Sequence, residues 1–169
     1  TARAAQEGWA ARPADNPGQV LYRVAEMLEG RRAELATLLS DTGQGTEAAK
    51  EEVEASIDRW VWYAGWSDKV HHVLGTVNPV SGPYFNFTIP EPTGVVGLVA
   101  SDRPALLGLV SRLVPAIVGG NAVVVVTAVQ SGSSADSAGL KQGDVISEIN
   151  RQPVRNLNDY KLSLIHISE

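Results

Sequence analysis

The stretch "GGNAVVVVTAVQSGSSADSAG", Gly119 to Gly139, decides how this chain is read. Its first half is a glycine pair followed by a short apolar run, the pattern of a strand buried on both faces. Its second half is a string of small turn residues, which does not prolong such a strand. A domain boundary is therefore placed inside the valine run, with residues 1–126 on one side, 127–161 on the other, and 162–169 set apart as a non-native tail.

Working back from the valines, "PALLGLVSRLVPAIVGG" has helical spacing through Leu106, Leu107, Val110, Leu113, Val114 and Ile117, and Gly119 with Gly120 ends it. "TGVVGLVA" before it is a second buried strand. Strand, helix, strand makes a right-handed parallel crossover, half of a doubly wound nucleotide-binding sheet at most. Further upstream, Pro79, Gly82, Pro83, Pro90 and Pro92 forbid a long helix. There "YFNFTI" alternates, placing Phe85, Phe87 and Ile89 on one face of an extended arm or hairpin.

Three helices precede the arm. In "DNPGQVLYRVAEMLEG", Asn16 is the expected N-cap and Pro17 the first helical residue, with Leu21, Val24, Ala25 and Leu28 on one face. Gly30 interrupts it before "RRAELATLLS", whose Leu35, Leu38 and Leu39 keep the spacing to Gly43. The third helix runs from near Thr46 to about Trp66 through Val53, Ile57, Trp60, Val61 and Ala64, with Glu51, Glu52, Glu54 and Asp58 turned to solvent. On the other side of the valines, "QSGSSADSAGLKQGDVISEINRQPV" offers a short helix at 134–137 and a strand "DVISEIN". In that strand Val145 and Ile149 share one face.

At 169 residues and 44% hydrophobic, the chain holds one ordinary domain or two small ones. Its net charge of −5 argues against nucleic acid or an anionic membrane as partner. Asp102, Arg103 and Arg112 interrupt the most apolar region, so it is read as core and not as a membrane span. The chain begins at Thr1 without the features of a signal peptide, and a missing start is expected. No cysteine is present, which removes disulfides, thiolate metal sites and a thiol nucleophile together.

Residues from about Gly8 to Val126 resemble the N-terminal part of an aldehyde dehydrogenase. The resemblance is carried by "LYRVAEMLEGRRAELATLLSDTG", "EVEASIDRWVWYAGWSDKVH", "YFNFTIPEPTGVVGLVA" and "LVPAIVGGNAVVV", in family order and spacing. It implies oxidation of an aldehyde with NAD or NADP, in which a cysteine attacks the carbonyl, hydride passes to the nicotinamide and a glutamate-activated water releases the acid. Both catalytic groups lie downstream of the resemblance, so no catalytic residue is assigned. The family's Pro-Trp-Asn segment reads Ser101, Asp102 and Arg103 here, which removes the oxyanion amide, and the lysine that meets the adenosine ribose falls on Val126. These departures mark an atypical or degenerate branch, and no cofactor is expected to bind this fragment. The resemblance also implies that Tyr84 to Pro90 belongs to an oligomerisation hairpin, which makes a homo-oligomer the expected partner.

A second resemblance, over about Val123 to Lys161, is to a partial PDZ domain of the HtrA type. Ala138-Gly139-Leu140, Gly143-Asp144, Ile146 and Ile149-Asn150 carry it. It implies an α+β segment that binds peptide C-termini by strand addition, with backbone amides cradling the carboxylate. The cradle should precede the valines, where the dehydrogenase helix stands instead, and only Leu157 and Tyr160 remain as groove wall. Peptide binding is therefore not expected. The chain thus reads as an inert α/β fragment, partly Rossmann-like, joined to a partial PDZ module; the alternative is a PDZ adaptor of an HtrA-like protease system. Location stays open, the first part implying cytoplasm and the second the cell envelope. The tail "LSLIHISE" is what CTGTCTCTTATACACATCTCCGAG encodes, which resembles a transposase adapter from sequencing libraries. That match raises the expectation of an artificial join, with few apolar contacts between residues before Asn121 and those after Gln130 apart from the shared strand.

Among polar candidates, Ser101, Asp102 and Arg103 sit where a doubly wound sheet binds ligands, at the end of a buried strand before a helix, and are the candidate cofactor-binding residues. Capping of that helix by Asp102 is the competing structural role. Adjacent His71 and His72 lack further ligands at metal spacing. Ser131, Ser133 and Ser134 lack a nucleophile elbow and read as turn residues. Trp60, Trp62, Tyr63, Trp66 and Tyr84 read as core and oligomer contacts before a base-stacking platform.

Overall fold

The computed structural model describes residues 2–99 and 103–126, together with the strand pieces Val145–Ile146, Glu148–Ile149 and Gln152–Pro153. Helices α1 (Ala2–Ala10), α2 (Asp15–Gly30), α3 (Arg32–Asp41) and α4 (Thr46–Ala64) come first, followed by the short α5 (Val70–Leu74). The hairpin strands β1 (Thr76–Asn78) and β2 (Asn86–Thr88) lead to β3 (Val95–Val99), α6 (Ala105–Val118) and β4 (Ala122–Val126). The last three strands are β5 (Val145–Ile146), β6 (Glu148–Ile149) and β7 (Gln152–Pro153).

Helices α2, α4 and α6 share one core, in which Leu21 and Ala25 of α2 meet Ala49, Val53, Ile57, Trp60 and Ala64 of α4 and Val110 and Val114 of α6. The α4 residues recur at intervals of three and four, so one stripe is continuously buried. Helix α2 starts at Asp15 and not at an Asn16 cap. The Asn16 Oδ1 instead accepts a hydrogen bond from Arg12 Nη1 at 2.6 Å, and Pro17 lies inside the first turn, where a helical N–H lacks a partner in any case. In α3, Ala36 and Leu39 are buried, whereas the expected core residue Leu38 is 55% exposed.

A larger correction concerns α4. Glu51, Glu54 and Asp58 face solvent as expected, but Glu52 is only 5% exposed. Helix α1 has no counterpart in the sequence expectations; its Trp9 Nε1 donates to the carbonyl of Ile117 at 2.8 Å and ties the helix to the end of α6.

Strands β3 and β4 pair in parallel from Val95 opposite Ala122 to Val99 opposite Val126, so the expected crossover is present. Asn121 locks its near end: Oδ1 accepts from the N–H of Gly94 at 2.9 Å while Nδ2 donates to the carbonyl of Ala116 at 3.0 Å. Gly120 makes the intervening turn at φ 85°, in the left-handed region. All five residues of β3 are buried, but β4 is only half-buried, with Val125 37% exposed. Among the described residues the valine run is an edge strand, because the sheet order is β4-β3-β5.

The hairpin is as expected, Thr76 facing Thr88 and Asn78 facing Asn86, with the Phe85 and Phe87 rings 5.5 Å apart. The expected strand "DVISEIN" divides: β5 pairs antiparallel with β3, and β6 pairs with β7. The expected helix at 134–137, Ser131, Ser133, Ser134, Leu157, Tyr160 and the tail 162–169 lie outside the described residues.

Candidate functional site

The crossover brings the C-terminal ends of β3 and β4 to the N-terminus of α6, the position at which such sheets hold ligands. Of the three residues assigned there from sequence, Ser101 and Asp102 lie outside the described residues, and Arg103 is exposed with its guanidinium beside Gly43. Val126, where the family lysine falls, is half-buried opposite Val99 and offers no polar atom from its side chain.

The N-terminus of α6 is held from another helix. Pro104 is its N-cap residue and makes no side-chain cap. Glu52 of α4 supplies the carboxylate: Oε1 accepts from the N–H groups of Leu106 at 2.7 Å and Leu107 at 3.0 Å. Its Oε2 accepts from Gln44 Nε2 at 2.7 Å. A negative charge on unsatisfied first-turn amides is stabilised by direct bonding and by the helix dipole. Asp102, whose competing role from sequence was to cap this helix, lies outside the described residues. Spacing gave no hint of the Glu52 contact, since the amides lie 54 and 55 residues away along the chain.

A nicotinamide dinucleotide, which the fold would accept at this edge, does not fit the described residues. Phosphate on the first-turn amides of α6 would have to displace Glu52 and would meet a like charge. The end of β4 presents Val126 to a ribose.

A groove lies at the opposite end of the sheet. It encloses about 710 Å3 and is lined by Trp9, Trp62, Trp66, Pro90, Gly120 and Asn121 among others. Trp62 of α4 and Trp66 of the turn after it, their rings 5.3 Å apart, line this groove, while Trp60 sits in the core. Among the described residues two exposed carboxylates have displaced titrations, Glu34 on α3 and Asp68 next to Ser67 of the groove lining. Glu34 is held below its ordinary range by the hydrogen bond and charge of Arg31, and Asp68 by its hydrogen bond from Lys69. His71 and His72 lie on α5, and no group of three metal-binding side chains occurs among the described residues.

A layer of helices beside a parallel β-α-β unit and an antiparallel hairpin is the arrangement of a partial Rossmann-like fold. Two family models match: aldehyde dehydrogenase over residues 1–138 and PDZ domain over residues 125–164, overlapping at 125–138. The chain belongs to the aldehyde dehydrogenase family. It is 35% identical to retinal dehydrogenase 2 of Homo sapiens over 147 residues, covering 86% of this chain and 27% of that protein. It is 32% identical to omega-crystallin of Enteroctopus dofleini over 145 residues, covering 81% and 29%.

Among solved structures it resembles an NAD-dependent benzaldehyde dehydrogenase from Corynebacterium glutamicum, with TM-score 0.69, 29% identity, and 84% of this chain against 32% of that one. It also resembles a glyceraldehyde-3-phosphate dehydrogenase from Methanocaldococcus jannaschii complexed with NADP, with TM-score 0.67, 29% identity, and 73% against 26%. The chain thus spans about a quarter to a third of the length of these relatives.

Proposed function

We propose that this chain is a scaffold fragment of an NAD(P)-dependent aldehyde dehydrogenase, joined near residue 126 to a partial PDZ module, and that it carries out no aldehyde oxidation within its 169 residues. The observation that carries this reading is the complete lack of cysteine, which leaves the covalent step without a thiolate. The Glu52 contact supports it, because the α6 amides are already spent on an internal carboxylate. When bound, a nicotinamide dinucleotide supplies the hydride acceptor in this family; the residues here hold helices together instead. Purified chain mixed with short and aromatic aldehydes and either NAD or NADP should form no reduced cofactor. Turnover proportional to protein concentration overturns the reading.

The partner proposed for the arm is a second copy of the chain. Tyr84, Phe85 and Phe87 are all exposed, Phe85 by 75%, so the hairpin presents an apolar face without a covering layer among the described residues. Nucleic acid and membrane are not proposed as partners; among the described residues no helix is long and apolar enough to cross a membrane.

The second reading, a PDZ adaptor for peptide C-termini, is favoured by the PDZ match over residues 125–164. Free-carboxylate peptides that bind, and lose binding on amidation, would establish it in place of the first.

A further inference from the structure

The two edges of β3 are treated differently. One edge runs beside β4 through all five residues, in parallel. The other meets β5 only at Gly97 and Leu98, antiparallel, with Gly97 opposite Ile146 and Leu98 opposite Val145. The sequence of β3, Val-Val-Gly-Leu-Val, has neither charge nor proline, and all five residues are buried. Such a run with an open edge is a template for pairing with another chain. Gly97 lacks a Cβ, so a neighbouring backbone can approach it closely.

We propose that β5 is an intramolecular edge cap: the segment Val145–Ile146, from the part of the chain that matches a PDZ domain, closes the edge of β3 that faces away from β4 and keeps other copies from pairing there. The antiparallel direction supports this role, since the β3–β4 crossover joins its strands in parallel and β5 enters the same sheet from the opposite sense. Covalent attachment favours β5 over a free strand, because a tethered segment competes at high effective concentration. The inference goes beyond the proposed lack of catalysis and does not depend on it, so an activity assay and a pairing assay fail separately.

The test uses the full 169-residue chain. In antiparallel pairing adjacent pairs alternate between bonded and non-bonded, so one of Gly97 and Leu98 directs its amide at β5. That amide should exchange slowly, and equally slowly on dilution. Val145→Pro together with Ile146→Pro removes both donors of β5, and exchange there should accelerate about tenfold, as loss of one net hydrogen bond implies. Light scattering should show mass rising with concentration more steeply than for the parent chain, also when Phe85→Ser and Phe87→Ser are present in both. Gln152→Pro, in the β6–β7 ladder, should change neither.

Fast exchange, as in the arm, at either of the two wild-type amides overturns the proposal, because one is held by β4 and the other by β5 alone, as does an equal effect of Gln152→Pro. Wild-type protection lost on dilution also overturns it, since a second copy would then fill the edge. Should the double variant lose its helical circular dichroism, the wild-type protection and its independence of concentration decide alone.

Discussion

The helical layer and the β1–β2 arm both carry large apolar side chains and put them to opposite use. In the layer, Leu21, Val53 and Val114 are closed off from water, and a buried carboxylate, Glu52, spends both oxygens on neighbours. In the arm, Val77, Tyr84, Phe85 and Phe87 stand in solvent, and the ladder is supported at its side by Asn78, whose Nδ2 donates to Asn86 and Thr88. The difference separates what this chain completes by itself from what it offers to a partner. Substitutions in the layer should therefore change folding stability, and substitutions in the arm should change association.

The largest effect expected is at Leu21, which is fully buried between α2 and α4. Leu21→Ala should cost about 3 kcal/mol in urea denaturation, the sum of lost transfer energy and a residual cavity. A loss below about 1 kcal/mol would show that the layer is not the stabilising core. Next comes Glu52→Gln, which keeps the shape and removes the charge from the α6 amides. About 2 kcal/mol should be lost, with faster amide exchange at Leu106 and Leu107 and little change in α2. Equal acceleration throughout the layer would mean that Glu52 is not a local clamp.

For the arm, Phe85→Ser with Phe87→Ser should leave unfolding of the monomer within about 0.5 kcal/mol of the parent. Self-association measured by sedimentation should disappear. If the parent is already monomeric at every concentration, the arm has no partner in a second copy.

The smallest effect concerns the exposed pair Arg31 and Glu34, whose oxygens accept from Arg31 at 2.7 and 2.9 Å. Glu34 is held below its ordinary value of 4.5, so its contribution to stability is present above that pH. It is lost as pH falls through the lowered folded value. Glu34→Gln should remove this slight acid dependence and nothing else, which a comparison of urea midpoints across the acid range will show.

Much of the architecture was legible because it rests on local periodicity. Leu21 and Ala25, the α4 stripe, the alternating arm and the strand-helix-strand order all follow from spacing. Helix α1 escaped because its apolar face consists of alanines and one tryptophan, and what fixes it, Trp9 against Ile117, is a contact across 108 residues of chain. Glu52 escaped for the same reason: four acids along one helix read as a wet face, and only the arrival of α6 turns one of them inward. The valine run announces burial, yet β4 becomes half-exposed because strand order, which periodicity does not encode, puts it at an edge among the described residues. Of the candidate site, the position at the β3–α6 turn was readable from topology. Its chemistry was not, because it depends on a carboxylate from α4 that the turn's own residues do not reveal.

The claim that joins these observations is that the family fold is retained while its cofactor edge is already occupied from within. Titration of the folded chain with NAD and with NADP, followed by the amide resonances of Val99, Arg103 and Val126, tests it most directly. The account predicts no saturable shift at these three positions up to millimolar cofactor. A saturable shift confined to them, with the resonances of the helical layer unmoved, would contradict it.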